Sequence, residues 1–230
     1  MMTKTLRMTT QMTVDMKTDN LIAQLAGGLE PVKRMSHPGV RMLGWIALAL
    51  PVSLFLGAML EDQNILFALE RIQDPSLLTE LIAIFATALT AGYAALCCAQ
   101  PGRSTKAWML PVFPFIAWLY LIGENCLSLY EQIGPDQFSF APIWACFPAI
   151  ATTGFAPALV MVILLRRGVL GQPTISAALA ALAAAALGAV GLRLYHEPDA
   201  TVMLLMWELI ATITLMALTS LVFGYIYRRG

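Results

Sequence analysis

Long apolar runs separated by short polar connections set the pattern of this chain. Stretches without any charged side chain cover residues 42–60, 81–102, 107–123, 137–165, 168–192 and 209–227. Each reaches or exceeds the ~17 residues that a helix needs to cross ~30 Å of hydrocarbon. The pattern predicts six transmembrane helices, with the sixth starting near Ala200 and carrying Glu208 inside it. A closed β-barrel is the other structure that satisfies every backbone group in lipid. Its alternating segments of about ten residues are absent, and residues 177–189 form a continuous run of helix formers. The expected fold is an all-α integral membrane protein, a six-transmembrane-helix bundle over residues 42–227 preceded by a polar segment, 1–41.

Composition supports this picture. Hydrophobic residues make up 59% of the 230 and charged residues 12%, against about 45–50% and 25% in soluble domains. Mean hydropathy is +0.73. So little charge would leave a soluble globule without a wettable surface. Four cysteines are too few for a disulfide scaffold, and a net charge of zero excludes bulk nucleic-acid binding.

Charge distribution orients the bundle. Of the 14 basic residues, Lys4, Arg7, Lys17, Lys33, Arg34 and Arg41 precede the first span. Arg103, Lys106, Arg166, Arg167, Arg228 and Arg229 follow even-numbered spans. Only Arg71 and Arg193 fall on the opposite side, where most of the acids lie, Glu80, Glu197 and Asp199 among them. The positive-inside rule then makes both termini cytoplasmic, as an even number of spans requires. Residues 1–41 contain no apolar h-region and no small-residue cleavage site, so no signal peptide is expected.

The polar N-terminal segment holds one amphipathic stretch. Thr18-Asp19-Asn20 offers capping side chains before Leu21, Ile22, Leu25 and Leu29, and Ile22, Leu25 and Leu29 share one helical face. Gly27-Gly28 and Pro31 limit the helix to ~10 residues, a length that is marginal alone in water. Two readings stay open. The helix rests on the membrane surface, or it folds on a cytoplasmic partner through its apolar stripe.

The string Met16-Lys-Thr-Asp-Asn-Leu-Ile-Ala-Gln-Leu-Ala-Gly-Gly-Leu-Glu-Pro-Val-Lys-Arg-Met35 resembles the opening of the NrsF family of membrane anti-sigma factors. Further along, Trp144-Ala-Cys146, Arg166-Arg167-Gly168, Pro173, a Gly/Ala-rich fifth span, Leu194-Tyr195-His196 with Pro198, and Trp207 follow in family-like order. The likeness covers residues 16–227 and is similar to the family in span count as well. It suggests that Met16 is the true start, with 1–15 an extension.

The resemblance implies a bacterial inner-membrane protein that holds an extracytoplasmic-function sigma factor inactive through its cytoplasmic N-terminal segment and releases it on a signal at the outer face. On this view Leu21, Ile22, Leu25 and Leu29 contact the sigma factor, while Cys146, His196 and Glu197 belong to signal sensing. The chain departs from the family at one point. A cysteine usually follows the histidine of the last outer loop, and Glu197 stands there instead, so Cys146 lacks the thiol partner that pattern would give it.

The remaining candidates are read from the residues alone. Cys97 and Cys98 point about 100° apart on a helix and are poorly placed to chelate. Cys126 and Cys146 lie toward the outer face, twenty residues apart, a separation that permits a disulfide without indicating one. His196, Glu197, Asp199 and Glu208 form the densest polar group. They make either a polar turn that neutralises Arg193 or a site for a hard cation, with no recognised metal spacing. Glu208, ~12 Å below the outer boundary of a helix starting at Ala200, is expected to pair with Arg193 or His196 or to be protonated. Prolines 51, 111, 114, 142, 148 and 157 within or at the start of spans call for neighbouring helices to satisfy freed carbonyls. No phosphate loop, nucleophile–base pattern or dinucleotide fingerprint is present, so neither catalysis nor a cofactor is expected. The expected partners are the sigma factor and membrane lipid, with no direct nucleic acid contact. A small transporter or channel, with Glu208 and Arg193 lining its path, is the rival class; an inverted repeat or a second buried charge would favour it.

Overall fold

The computed structural model describes residues 36–100, 102–103, 105–133, 146–166 and 172–195, most of 18–27 and parts of 210–221. The chain forms two units, Met1–Met35 and Ser36–Gly230. In the first, residues 18, 20–23 and 25–27 are helical, within the stretch that the capping residues and apolar spacing mark.

The described part of the second unit is built from helices. They are α1 (Pro38–Leu60), α2 (Ile65–Arg71), α3 (Pro75–Cys98), a 3-10 helix (Thr105–Met109), α4 (Val112–Ile133), α5 (Cys146–Arg166) and α6 (Pro173–Tyr195). Caps and prolines fix where they start. Pro38, Pro75 and Pro173 each open a helix, the position where a missing N–H costs nothing. The His37 ring accepts a hydrogen bond from the Gly39 N–H at 3.1 Å, Asn64 Oδ1 from Phe67 at 3.0 Å, and Asp74 Oδ1 from Ser76 at 2.9 Å.

Among the described residues, four helices are long and apolar enough to cross a membrane: Pro38–Leu60, Pro75–Cys98, Lys106–Asn125 and Pro173–Tyr195. They correspond to the first, second, third and fifth expected spans. The apolar stretch of α5, Ala151–Leu165, is shorter. Residues 137–145, given to the fourth span by the sequence, and most of the sixth lie outside the described residues.

Two boundaries differ from the uncharged-run pattern. Helix α3 starts at Pro75 rather than at 81, and α6 runs through Tyr195 rather than stopping at 192. A helix end follows its cap, here Asp74-Pro75, and not the nearest charge. Glu80 and Arg193, which that pattern put in connections, are thereby inside helices and buried. Glu208 is accordingly not the one charge within a span.

Helix α6 is the hub, packed against α1, α3 and α5. Windows in α1 and α6 have the same hydropathy, 2.1, yet 22% of the α1 window is buried and 83% of the α6 window. Side-chain size separates them. From Ala177 to Gly191 helix α6 is mostly alanine and glycine, which lets neighbouring backbones approach closely. A Cβ on Gly57 would collide with the Gly191 carbonyl, one on Gly191 with the Ser53 carbonyl, and one on Gly188 with Gly154 Cα at 2.8 Å. These contacts tie α6 to α1 and to α5.

Proline chemistry ties α5 to α1. Pro157 has no N–H for the Thr153 carbonyl one turn earlier. Ser53 Oγ from α1 donates to that carbonyl at 3.3 Å, and Trp45 Nε1 donates to the Pro157 carbonyl at 2.9 Å. Arg41, buried near the start of α1, donates through Nη2 to the Leu164 carbonyl. Toward the C-terminus, Thr212 is buried and Met216 packs against the core.

Candidate functional site

At the end of the bundle where α2 lies, the first residues of α3 and the last turn of α6 bring charged side chains together. Leu77, Glu80, Ala83 and Ile84 share the inward face of α3, so Glu80 points into the packed interior with 1% of its surface exposed. Arg193, 4% exposed, meets it from α6. The guanidinium donates through Nε to Glu80 Oε1 at 2.9 Å and through Nη2 to Oε2. From α4, Asn125 Nδ2 donates to Oε2 at 3.2 Å. Three donors thus engage both oxygens of the carboxylate, and the charges cancel in a bidentate pair. Either charge alone at this depth would be severely destabilising.

A second arginine stands beside this pair. Arg71 ends α2, which is docked through Ala68 onto Leu194 and Tyr195. Its Nε is buried and has no hydrogen-bond partner. Burial first, and then the neighbouring Arg193 charge, hold the Arg71 guanidinium below its ordinary pKa, against the attraction of Asp74 and Glu80. Asp74 is already engaged: its Oδ1 accepts from the Ser76 N–H and hydroxyl, both at 2.9 Å, and the backbone bond above all holds its carboxyl below the usual range.

The arrangement is a brace rather than a reactive centre. It joins α3, α4 and α6 through one carboxylate. Among the described residues no three of His, Cys, Asp and Glu come together to hold a metal ion.

The residues singled out in the sequence are not gathered in one place. Leu21, Ile22 and Leu25 are on the first unit with more than half of their surface exposed; Leu29 lies outside the described residues. Arg193 is committed to Glu80, whereas Glu208, the partner the sequence pointed to, lies outside the described residues together with His196, Glu197 and Asp199. Cys146 opens α5 and Cys126 sits in α4, but nothing of either side chain is described. Cys97 and Cys98 are buried free thiols in the last turn of α3.

Glu80 and Asn125 are the members of the brace that the sequence reading missed. A signal for Glu80 was present: an arginine in an apolar run needs a carboxylate at its depth, and Glu80 borders the next apolar run on the same side.

The family model NrsF, described as negative regulator of sigma F, matches residues 25–228. No curated protein and no solved structure matches the chain.

Proposed function

The chain belongs to the NrsF family, negative regulators of sigma F, and on that premise we propose that it sequesters an extracytoplasmic-function sigma factor at the bacterial inner membrane. The partner binds the N-terminal unit. The observation that carries this reading is the apolar stripe there: Leu21, Ile22 and Leu25 are 56%, 57% and 64% exposed on helical residues. Three large aliphatic side chains so close together in an otherwise polar segment call for a covering surface, and a helix laid in a partner's groove supplies one. Leu29 extends the stripe. In this reading six spans anchor the segment with both termini cytoplasmic, and the protein acts by stoichiometric binding, without catalysis, a cofactor or direct nucleic acid contact. Release follows a signal at the outer face, in the region of Cys146, His196 and Glu197.

The rival reading, a transporter or channel, gains a second buried charge from Glu80. That charge does not serve a path. The Glu80 carboxylate accepts from Arg193 and from Asn125 on both of its oxygens, and a cargo-binding carboxylate keeps its acceptors free for cargo.

The test is a double substitution. Leu and Ile side chains each contribute ~1.5–3 kcal/mol when fully buried, so losing two weakens binding by more than a hundredfold. Ile22→Asp with Leu25→Asp is expected to free the sigma factor and raise transcription of its target genes, at unchanged protein abundance in the membrane fraction. Unchanged transcription at normal abundance overturns the reading in favour of a helix that rests on the membrane.

A further inference from the structure

We propose that Arg71, with Arg193 beside it, is a phosphate-binding site at the α2 end of the bundle, and that in the bilayer it takes the headgroup phosphate of a phospholipid.

One donor of Arg71 is unmet. Arg71 Nε is buried without a hydrogen-bond partner, and an orphaned donor on a charged group is costly. The acids that approach it are in use. Glu80 accepts three hydrogen bonds from Arg193 and Asn125, and Asp74 caps α3. Two guanidinium groups lie near one carboxylate that is paired with only one of them, and an anion with several acceptor oxygens relieves both the unmet Nε and the repulsion between the arginines. The Nε edge of a guanidinium is the one that presents parallel N–H groups to an oxyanion.

The surroundings select among phosphate sources. On α2, Ile65, Leu66 and Leu69 are 68%, 64% and 55% exposed, while Ala68 faces the bundle. A short helix with an apolar outer face and a terminal arginine, at the boundary of spans that would cross a bilayer, suits the level where acyl chains meet headgroups. A free phosphate ion would use the arginines but not this apolar face.

The site rests on the reading of the bundle as embedded in a bilayer, which membrane fractionation of the full chain checks separately. For the site itself, the purified full-length protein in detergent is titrated with three probes, followed by native mass spectrometry and by thermal unfolding. The probes are dioleoylphosphatidylglycerol, dioleoylglycerol (the same tails without phosphate) and inorganic phosphate. The phosphatidylglycerol is expected to bind at least tenfold more tightly than dioleoylglycerol. Arg71→Gln is expected to lower its affinity about tenfold, the order supplied by one charge-assisted hydrogen bond, and Arg71→Lys to lower it less. Equal binding of the two lipids by the native chain overturns the proposal, as does full phosphatidylglycerol affinity in a folded Arg71→Gln variant. Displacement of the lipid by millimolar inorganic phosphate would keep the phosphate site but overturn the headgroup as its source. If Arg71→Gln does not fold, the comparison of the two lipids on the native chain decides alone.

Discussion

Glu80 has three donors on two oxygens, and its neighbours come from α4 and α6. Removing one member of such a pair leaves the other charged and buried. Glu80→Ala and Arg193→Ala are each expected to destabilise the bundle by ~3–5 kcal/mol. The double variant should cost clearly less than the two single changes together, by a coupling of ~0.5–3 kcal/mol, in a detergent unfolding titration. Additive losses would mean that the pair contributes nothing as a pair. Repeating the cycle with Glu208→Ala tests the pairing that the sequence suggested. Arg193 was legible as a residue in need of a carboxylate, because a lone guanidinium in an apolar helix is costly. Which carboxylate it takes was not, since 113 residues separate the partners and a search for uncharged runs places every charge at a boundary by construction.

Helices in this bundle are distinguished by the size of their side chains more than by their hydropathy. The seams of α6 against α1 and α5 leave no room for a methyl group at Gly57, Gly188 or Gly191. Gly191→Ala is therefore expected to cost at least ~1–3 kcal/mol through displaced backbone. Gly44→Ala, where an added Cβ meets nothing within 4 Å, should be neutral or stabilising by up to ~1 kcal/mol through helix propensity. Equal stability of the two variants would remove the close-packed seam from the account. The sequence made the helices themselves readable, as well as the demand of the span prolines for outside donors. It did not tell which donor serves which carbonyl. That Ser53 answers Thr153, opposite Pro157, depends on the register between α1 and α5, which no local pattern encodes.

For the molecule as a whole, the distribution of basic residues predicts six spans with both ends on one face. Reporter fusions after Leu60, Cys98, Gly123, Leu165 and Leu194 should alternate outside, inside, outside, inside, outside. A cytoplasmic signal near Gly134 would overturn that order. Helix α6, the most enclosed of the described spans, is also among the most hydrophobic, so apart from Arg193 in its last turn, which waits for Glu80, it can enter lipid already helical before its neighbours gather round it. Its composition then matters for a different reason. Alanine and glycine have no rotamers to lose, whereas each leucine or isoleucine gives up ~0.5–1 kcal/mol of side-chain freedom when it is fixed. A central helix built from them assembles with little loss of entropy, and most of the ordering falls on the larger side chains that close over it.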